Sequence, residues 1–302
     1  MLQKSKAVPE ASFYVKVPGK WILAGEHAVL RGGNALVFPL QSQYLELFFY
    51  ESKDAFKIDL QGADSDKIFN VVHSIFQKCF LKLKIDSSEI KGLVVLKSNI
   101  QFGAGMGASA TLCVTVAKFF LYLGFVSENE LYDFARELEN MFHGESSGVD
   151  IAVVLLQKPL LFSRANGSTE LFNSKLPKLF LSHTGCQGIT KECVEKVKEL
   201  WIDDPIKANE IDLKMKNAVE GFSTLLQNFD LEKWIFTLNQ AHSCFYDWGL
   251  VNQVVKNHEK LLLESGALAV KLTGSGAGGF MLSLWNEIPK NLAIPLISCS
   301  DY

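Results

Sequence analysis

The sequence predicts a chain of mixed strands and helices arranged as two domains. Three observations carry this reading. A length of 302 residues suits two domains of ordinary size. Apolar runs of strand length lie near both ends, within residues 13–50 and 267–284, with helically spaced segments between them. Around residues 157–178 the periodicity weakens, and Pro159, Asn166-Gly167 and Pro177 interrupt it. A boundary near residue 170 is therefore expected, dividing the chain into domains 1–170 and 171–302.

Composition excludes several classes. Hydrophobic residues make up 48%, enough for a real core. Thirty basic against 33 acidic side chains leave a net charge of −3 with no basic tract, which argues against nucleic acid as a partner. Six cysteines show no CxxC and no metal-ligand spacing, as expected of a reduced, cytoplasmic protein. The N-terminal residues lack the apolar core of a signal peptide. The apolar run at 112–125 is too short for a membrane span and contains Lys118.

In chain order, residues 13–17 read as a strand, Pro18-Gly19 as a turn, and Lys20 as the start of a second short strand. Gly25-Glu26-His27 then interrupts the apolar pattern. Read alone, Lys20 is as readily a solvated lysine and His27 a satisfied buried histidine. Residues 35–40 and 44–50 read as two strands, and the polar stretch 51–66 as a surface connection. Ile68, Val71, Val72, Ile75, Phe76, Cys79 and Phe80 mark a helix over 67–82.

An apolar strand candidate at 93–96 precedes Phe102-Gly103-Ala104-Gly105-Met106-Gly107-Ala108-Ser109, and a helical run follows. Glycines let a backbone approach a ligand closely, and the first amides of a helix lack intrahelical partners. Strand, glycine loop and helix start together form a phosphate cradle. No Gly-Lys-Ser/Thr follows, so this is not a Walker A loop. Ser127 and Glu130 resemble a capping box opening a helix over about 128–142, which Gly144 would stop. His143-Gly144-Glu145-Ser146-Ser147-Gly148-Val149-Asp150 then precedes an apolar segment. Glu139 and Asp150 are two carboxylates flanking a tight loop, a pair suited to holding a cation and handling a proton. Asp150 also suits a helix N-cap.

In the second half, 179–182 reads as a strand. Helices are expected at 190–201, 207–227, 230–247 and 250–265. Gly274-Ser275-Gly276-Ala277-Gly278-Gly279 matches G-x-G-x-x-G but lies between two strands. It is read as a hairpin approaching a ligand, not as a dinucleotide fingerprint.

Together these stretches resemble the GHMP small-molecule kinases, most of all those acting on mevalonate. Residues 18–29 are similar to P-G-K-x-x-L-x-G-E-H-x-V, the glycine loop to P-x-G-x-G-L-G-S-S-A, residues 143–150 to H-G-x-P-S-G-x-D, and residues 271–280 to K-L-T-G-x-G-x-G-G. Gln101 and Ser146 stand where the family has proline, and Ala108 replaces the first serine of its pair. The resemblance implies an α+β fold, with a ribosomal protein S5-like N-terminal domain and a ferredoxin-like C-terminal domain. It implies ATP phosphates on Gly103, Ala104, Gly105, Met106, Gly107, Ala108 and Ser109, with Mg²⁺ held by Ser109 and Glu139. Glu139 and Asp150 are 150 − 139 = 11 residues apart, as in the family. Asp150 would take the proton of the substrate hydroxyl, with Lys20 beside it. Glu26, His27, Thr190 and Gly276 would face the acceptor. The expected activity is ATP-dependent phosphorylation of the mevalonate 5-hydroxyl. The alternatives are another GHMP kinase (for phosphomevalonate, a sugar or homoserine) and a silent GHMP-fold binding protein. The expected partner is a small alcohol, with neither nucleic acid nor membrane. Dimers occur in the family, so a homodimer is an open expectation.

Overall fold

The computed structural model describes residues 10–62, 65–143, 146–171 and 176–300. Its first sheet has six strands: β1 (Phe13–Ala24), β2 (Asn34–Ala55), β3 (Lys57–Gly62), β4 (Lys91–Ser98), β5 (Leu160–Ser163) and β6 (Gly167–Glu170). Their order is β3-β4-β2-β5-β6, with β1 pairing to β2; β3 and β4 are parallel and the other neighbours antiparallel. Four helices accompany it: α1 (Ser65–Leu83), α2 (Ala108–Tyr122), α3 (Leu131–His143) and α4 (Val149–Leu156).

The second sheet contains β7 (Lys178–His183), β8 (Ala269–Thr273), β9 (Phe280–Trp285) and β10 (Ile297–Ser298), in the antiparallel order β10-β7-β9-β8. Helices α5 (Thr190–Asp203), α6 (Pro205–Leu225), α7 (Leu231–Asp247) and α8 (Gln253–Glu264) complete this half. The change of sheet falls between Glu170 and Lys178. Among the described residues no helix is long and apolar enough to cross a membrane.

Side-chain alternation explains why the halves share a core. Along β2, Ala35 and Val37 face the N-terminal core, while Leu36, Phe38 and Leu40 face the core of the second half. Along β1, Trp21 and Leu23 join that second core, and Trp21 stacks on Phe38 with ring centroids 4.6 Å apart. A sheet buried on both faces needs such unbroken apolar runs. On the other face, α2 is buried around nearly its whole circumference, and Phe119 and Phe120 pack with Phe49, Phe76 and Phe134. Each such aromatic contributes about 1.5–3 kcal/mol by burial.

Four local expectations need correction. Pro18-Gly19 is not a turn: β1 runs straight through it, and the pairing register shifts between the two residues. A proline is tolerated there because, among the described residues, β1 pairs only with β2. The two strands expected at 35–40 and 44–50 are one continuous strand. The stretch 51–66, expected as a connection, holds the end of β2, then β3, then the start of α1. Ile58 and Leu60 of β3 are half-buried while Lys57, Asp59 and Gln61 are exposed, the alternation of an edge strand. The weakly patterned region at 157–178 contains the β5–β6 hairpin. The Gly144 helix stop and Glu145 lie outside the described residues.

Candidate active site

The glycine loop joins β4 to α2, and its backbone explains the three alternating glycines. Gly103, Gly105 and Gly107 have φ values of 77°, 90° and 75°. Gly107 is the N-cap of α2, and a Cβ on it would sit 2.6 Å from Lys20 Cγ. Only glycine serves there, because both the left-handed conformation and the lysine stem exclude a side chain. The carbonyls of the loop are used by the protein. Phe102 O accepts from Gln187 Nε2 (3.1 Å), Met106 O from Lys20 N (3.0 Å), and Gly107 O from Thr111 N (2.8 Å). Among the described residues, no backbone N–H of 103–107 donates to another protein group. Unspent amides beside a helix N-terminus form a seat for an anion.

Lys20 and Asp150 meet directly. Lys20 lies on β1 with its side chain 4% exposed, and its Nζ reaches Asp150 Oδ2 at 2.8 Å. Asp150 is 23% exposed, so the pair opens on its carboxylate side. The N-cap of α4 is Gly148, and Asp150 sits in the first turn, not at the cap.

Glu139 lies on the buried stripe of α3 formed by Leu131, Phe134, Ala135 and Leu138, and is itself buried. Its Oε2 accepts a hydrogen bond from Ser146 Oγ. Burial, reinforced by the Asp150 charge, pushes its carboxyl up to about 7, while Ser146, Lys20 and Arg136 pull the other way. Its charge also reaches the Cys113 thiol on α2, which burial raises well above its usual range. Ser109 is one turn before Cys113 on the same helix face. Among the described residues no three His, Cys, Asp or Glu side chains form a metal centre. Mg²⁺ needs no such cluster, because it is held by one or two carboxylates plus phosphates and waters. A buried carboxylate crowded by a second carboxylate, with a hydroxyl one helix away, is an all-oxygen set that fits a hard cation.

The second half contributes a buried polar seam. Glu26 Oε1 pairs with Lys271 Nζ, and both residues are essentially sealed from solvent. Burial pushes Glu26 up and Lys271 down, each toward its neutral form, and their mutual attraction opposes both shifts. Among the described residues, Glu26 Oε2 is buried without a hydrogen-bond partner. His27 occupies a strained turn with φ 57° and ψ −48°, in which Ala28 N donates to Glu26 O. That turn aims His27 Nε2 at Ser275 O (2.8 Å). Burial lowers its pKa to about 4, so the ring is neutral. Thr190 begins α5, and its Oγ1 is 3.3 Å from Ser275 Oγ. Gly276, with φ 94°, packs against Leu250 and Phe245.

The structure thus brings together Lys20, Asp150 and Glu139 beside the loop, and groups Glu26, His27 and Thr190 around the second glycine loop. Three contributors went unassigned in the sequence. Lys271 stands in the middle of a fully buried strand, where a lysine demands a partner. Ser275 accepts from His27 and meets Thr190. Ser146 figured only as a departure from a motif.

Comparison with known proteins follows this geometry. Residues 69–158 match the family model of the GHMP kinases N terminal domain. A mevalonate kinase from Thermococcus onnurineus is 27% identical over 304 residues, covering 91% of this chain and 90% of its own. The structure of L. major mevalonate kinase in complex with R-mevalonate superposes with a TM-score of 0.77 at 23% identity, covering 94% of this chain and 90% of that one. Methanococcus jannaschii mevalonate kinase gives 0.74 at 17% identity, with 91% and 90% coverage. The chain has the GHMP kinase fold, and among the GHMP kinases it resembles the mevalonate kinases.

Proposed function

We propose that this protein is an ATP-dependent kinase that phosphorylates the 5-hydroxyl of mevalonate in a cytoplasmic isoprenoid route. The observation carrying the reading is the 2.8 Å contact between Lys20 and Asp150, beside buried Glu139 and the unspent amides of the glycine loop. Likeness to mevalonate kinases along nine-tenths of the chain supports the choice of acceptor.

In this reading residues 103–109 and the start of α2 hold the ATP phosphates. Asp150 accepts the hydroxyl proton as the substrate oxygen bonds to the γ-phosphorus. The bond from that phosphorus to the β–γ bridging oxygen breaks, and ADP leaves with the electron pair. Lys20, fixed by its buried stem, offsets negative charge developing on the reacting oxygens. Mg²⁺, when bound, would neutralise phosphate charge, and Ser109 and Glu139 would hold it. Glu26, His27, Thr190 and Gly276 border the acceptor, with Glu26 and His27 shaping that wall from beneath the surface.

The test is ADP release with Mg·ATP and (R)-mevalonate, 5-phosphomevalonate, homoserine or galactose. Turnover with mevalonate alone is expected, and Asp150→Asn should lower kcat by about 10²–10⁴-fold. Turnover with another acceptor would overturn the substrate. Normal turnover by Asp150→Asn would overturn the base.

A further inference from the structure

Ser146 stands where the resembling motif has proline, and its hydrogen bonds give that difference a use. Its backbone N–H donates to Asn140 Oδ1 (2.8 Å), and its carbonyl accepts from Arg136 Nη2 (3.4 Å). Both bonds tie the residue to α3. Its hydroxyl oxygen accepts from Gly148 N at 3.0 Å. That bond takes up a lone pair and directs the hydroxyl proton to Glu139 Oε2. Ser146 is buried, so water does not compete for either bond. Two residues on, Gly148 has φ 82°, and a Cβ on it would lie 2.3 Å from Tyr132 Oη. The loop is thus held from both sides, and Ser146 has little freedom to turn away. A proline at 146 would lack both the N–H to Asn140 and the hydroxyl to Glu139.

We infer that Ser146 is a positioning residue which orients the Glu139 carboxylate toward the Mg²⁺ that accompanies bound ATP. This rests on the reading of Glu139 as a metal ligand. Groups that orient a metal ligand typically change metal affinity by about 10–100-fold when removed. In this chain a side-chain hydroxyl fixes the carboxylate rotamer, where a proline could offer only ring packing.

The experiment is equilibrium binding of a non-hydrolysable ATP analogue by calorimetry, across Mg²⁺ concentrations from zero upward. Wild type, Ser146→Ala, Ser146→Thr and Glu139→Gln are compared. Ser146→Ala is expected to need about 10–100-fold more Mg²⁺ for the same gain in affinity. Its binding without Mg²⁺ should match wild type, and Ser146→Thr, which keeps the hydroxyl, should restore the Mg²⁺ response. An unchanged Mg²⁺ response in Ser146→Ala, with Glu139→Gln impaired, would overturn the role of Ser146 and leave the metal reading standing. Equal weakening with and without Mg²⁺ would mean loop damage and also overturn it. Failure of Ser146→Thr to restore the response would do the same. A wild-type response in Glu139→Gln would overturn the metal reading itself.

Discussion

The two glycine loops look alike in sequence and touch each other in space, yet they do different work. A Cβ on Gly279 of the second loop would lie 2.6 Å from Ala104 O of the first. The first loop turns its carbonyls to the protein and keeps its amides. The second spends amides inward: Gly279 N donates to Cys186 O (2.7 Å) and Ala277 N to Leu250 O (2.8 Å). The first feeds a helix, the second a strand. Alternating glycines therefore signal only that something comes close. The fate of the amides and the next element decide whether a ligand or another stretch of protein is approached.

Substitutions that separate the loops sharpen this contrast. The largest effect is expected for Gly107→Ala, whose Cβ would displace the Lys20 stem. A displacement of about 1 Å costs about 10²-fold in turnover, and steady-state kinetics would measure it. The next tests the second loop through His27, bonded to Ser275. Its folded pKa is about 4 against 6.5 unfolded, so the unfolded chain takes up a proton that the native ring refuses. Its stabilising contribution is full above about pH 6.5 and is lost as pH falls toward 4, by about 3 kcal/mol at most. His27→Asn, which tolerates positive φ, should flatten the slope of stability against pH in that window, as read from urea melts.

Gly279→Ala should cost about 2 kcal/mol, from positive φ and contact with Ala104 O, and should lower the melting temperature more than it weakens nucleotide binding. The smallest effect belongs to Gly124→Ala, at φ 79° with open space around it: about 1 kcal/mol of backbone strain and no change in turnover. If Gly124→Ala matched Gly279→Ala in stability, contact between the loops would not be what constrains Gly279.

Local chemistry was legible wherever neighbours in sequence are neighbours in space. The loop-to-helix start at 103–109 and the carboxylates flanking 146–148 could be read directly. Glu139 stands on the apolar stripe of α3, where an acidic side chain is conspicuous. The seam of Glu26, Lys271 and Ser275 was not legible as a unit, because Lys271 and Glu26 are 245 residues apart and periodicity carries no long-range pairing. Pro18-Gly19 misled for a related reason: its local turn preference yields to the pairing of β1 along the length of β2. Ser146 read as a blemish in a motif because its hydroxyl acts on a side chain seven residues back.

The bonds between Ile22 and Thr273, at 3.0 and 2.9 Å, set a timetable for synthesis. Strand β1 leaves the ribosome well before this partner, which emerges 251 residues later. At about 5–20 residues per second this is a wait of roughly 12–50 s. Until α6 and then β8 have emerged, Trp21, Leu23, Leu36 and Phe38 present an apolar face whose cover is incomplete. The nascent N-terminal half should therefore be a client for a holding chaperone, and ribosome-bound chains stalled before residue 269 should be more prone to aggregate than those stalled after release of β9.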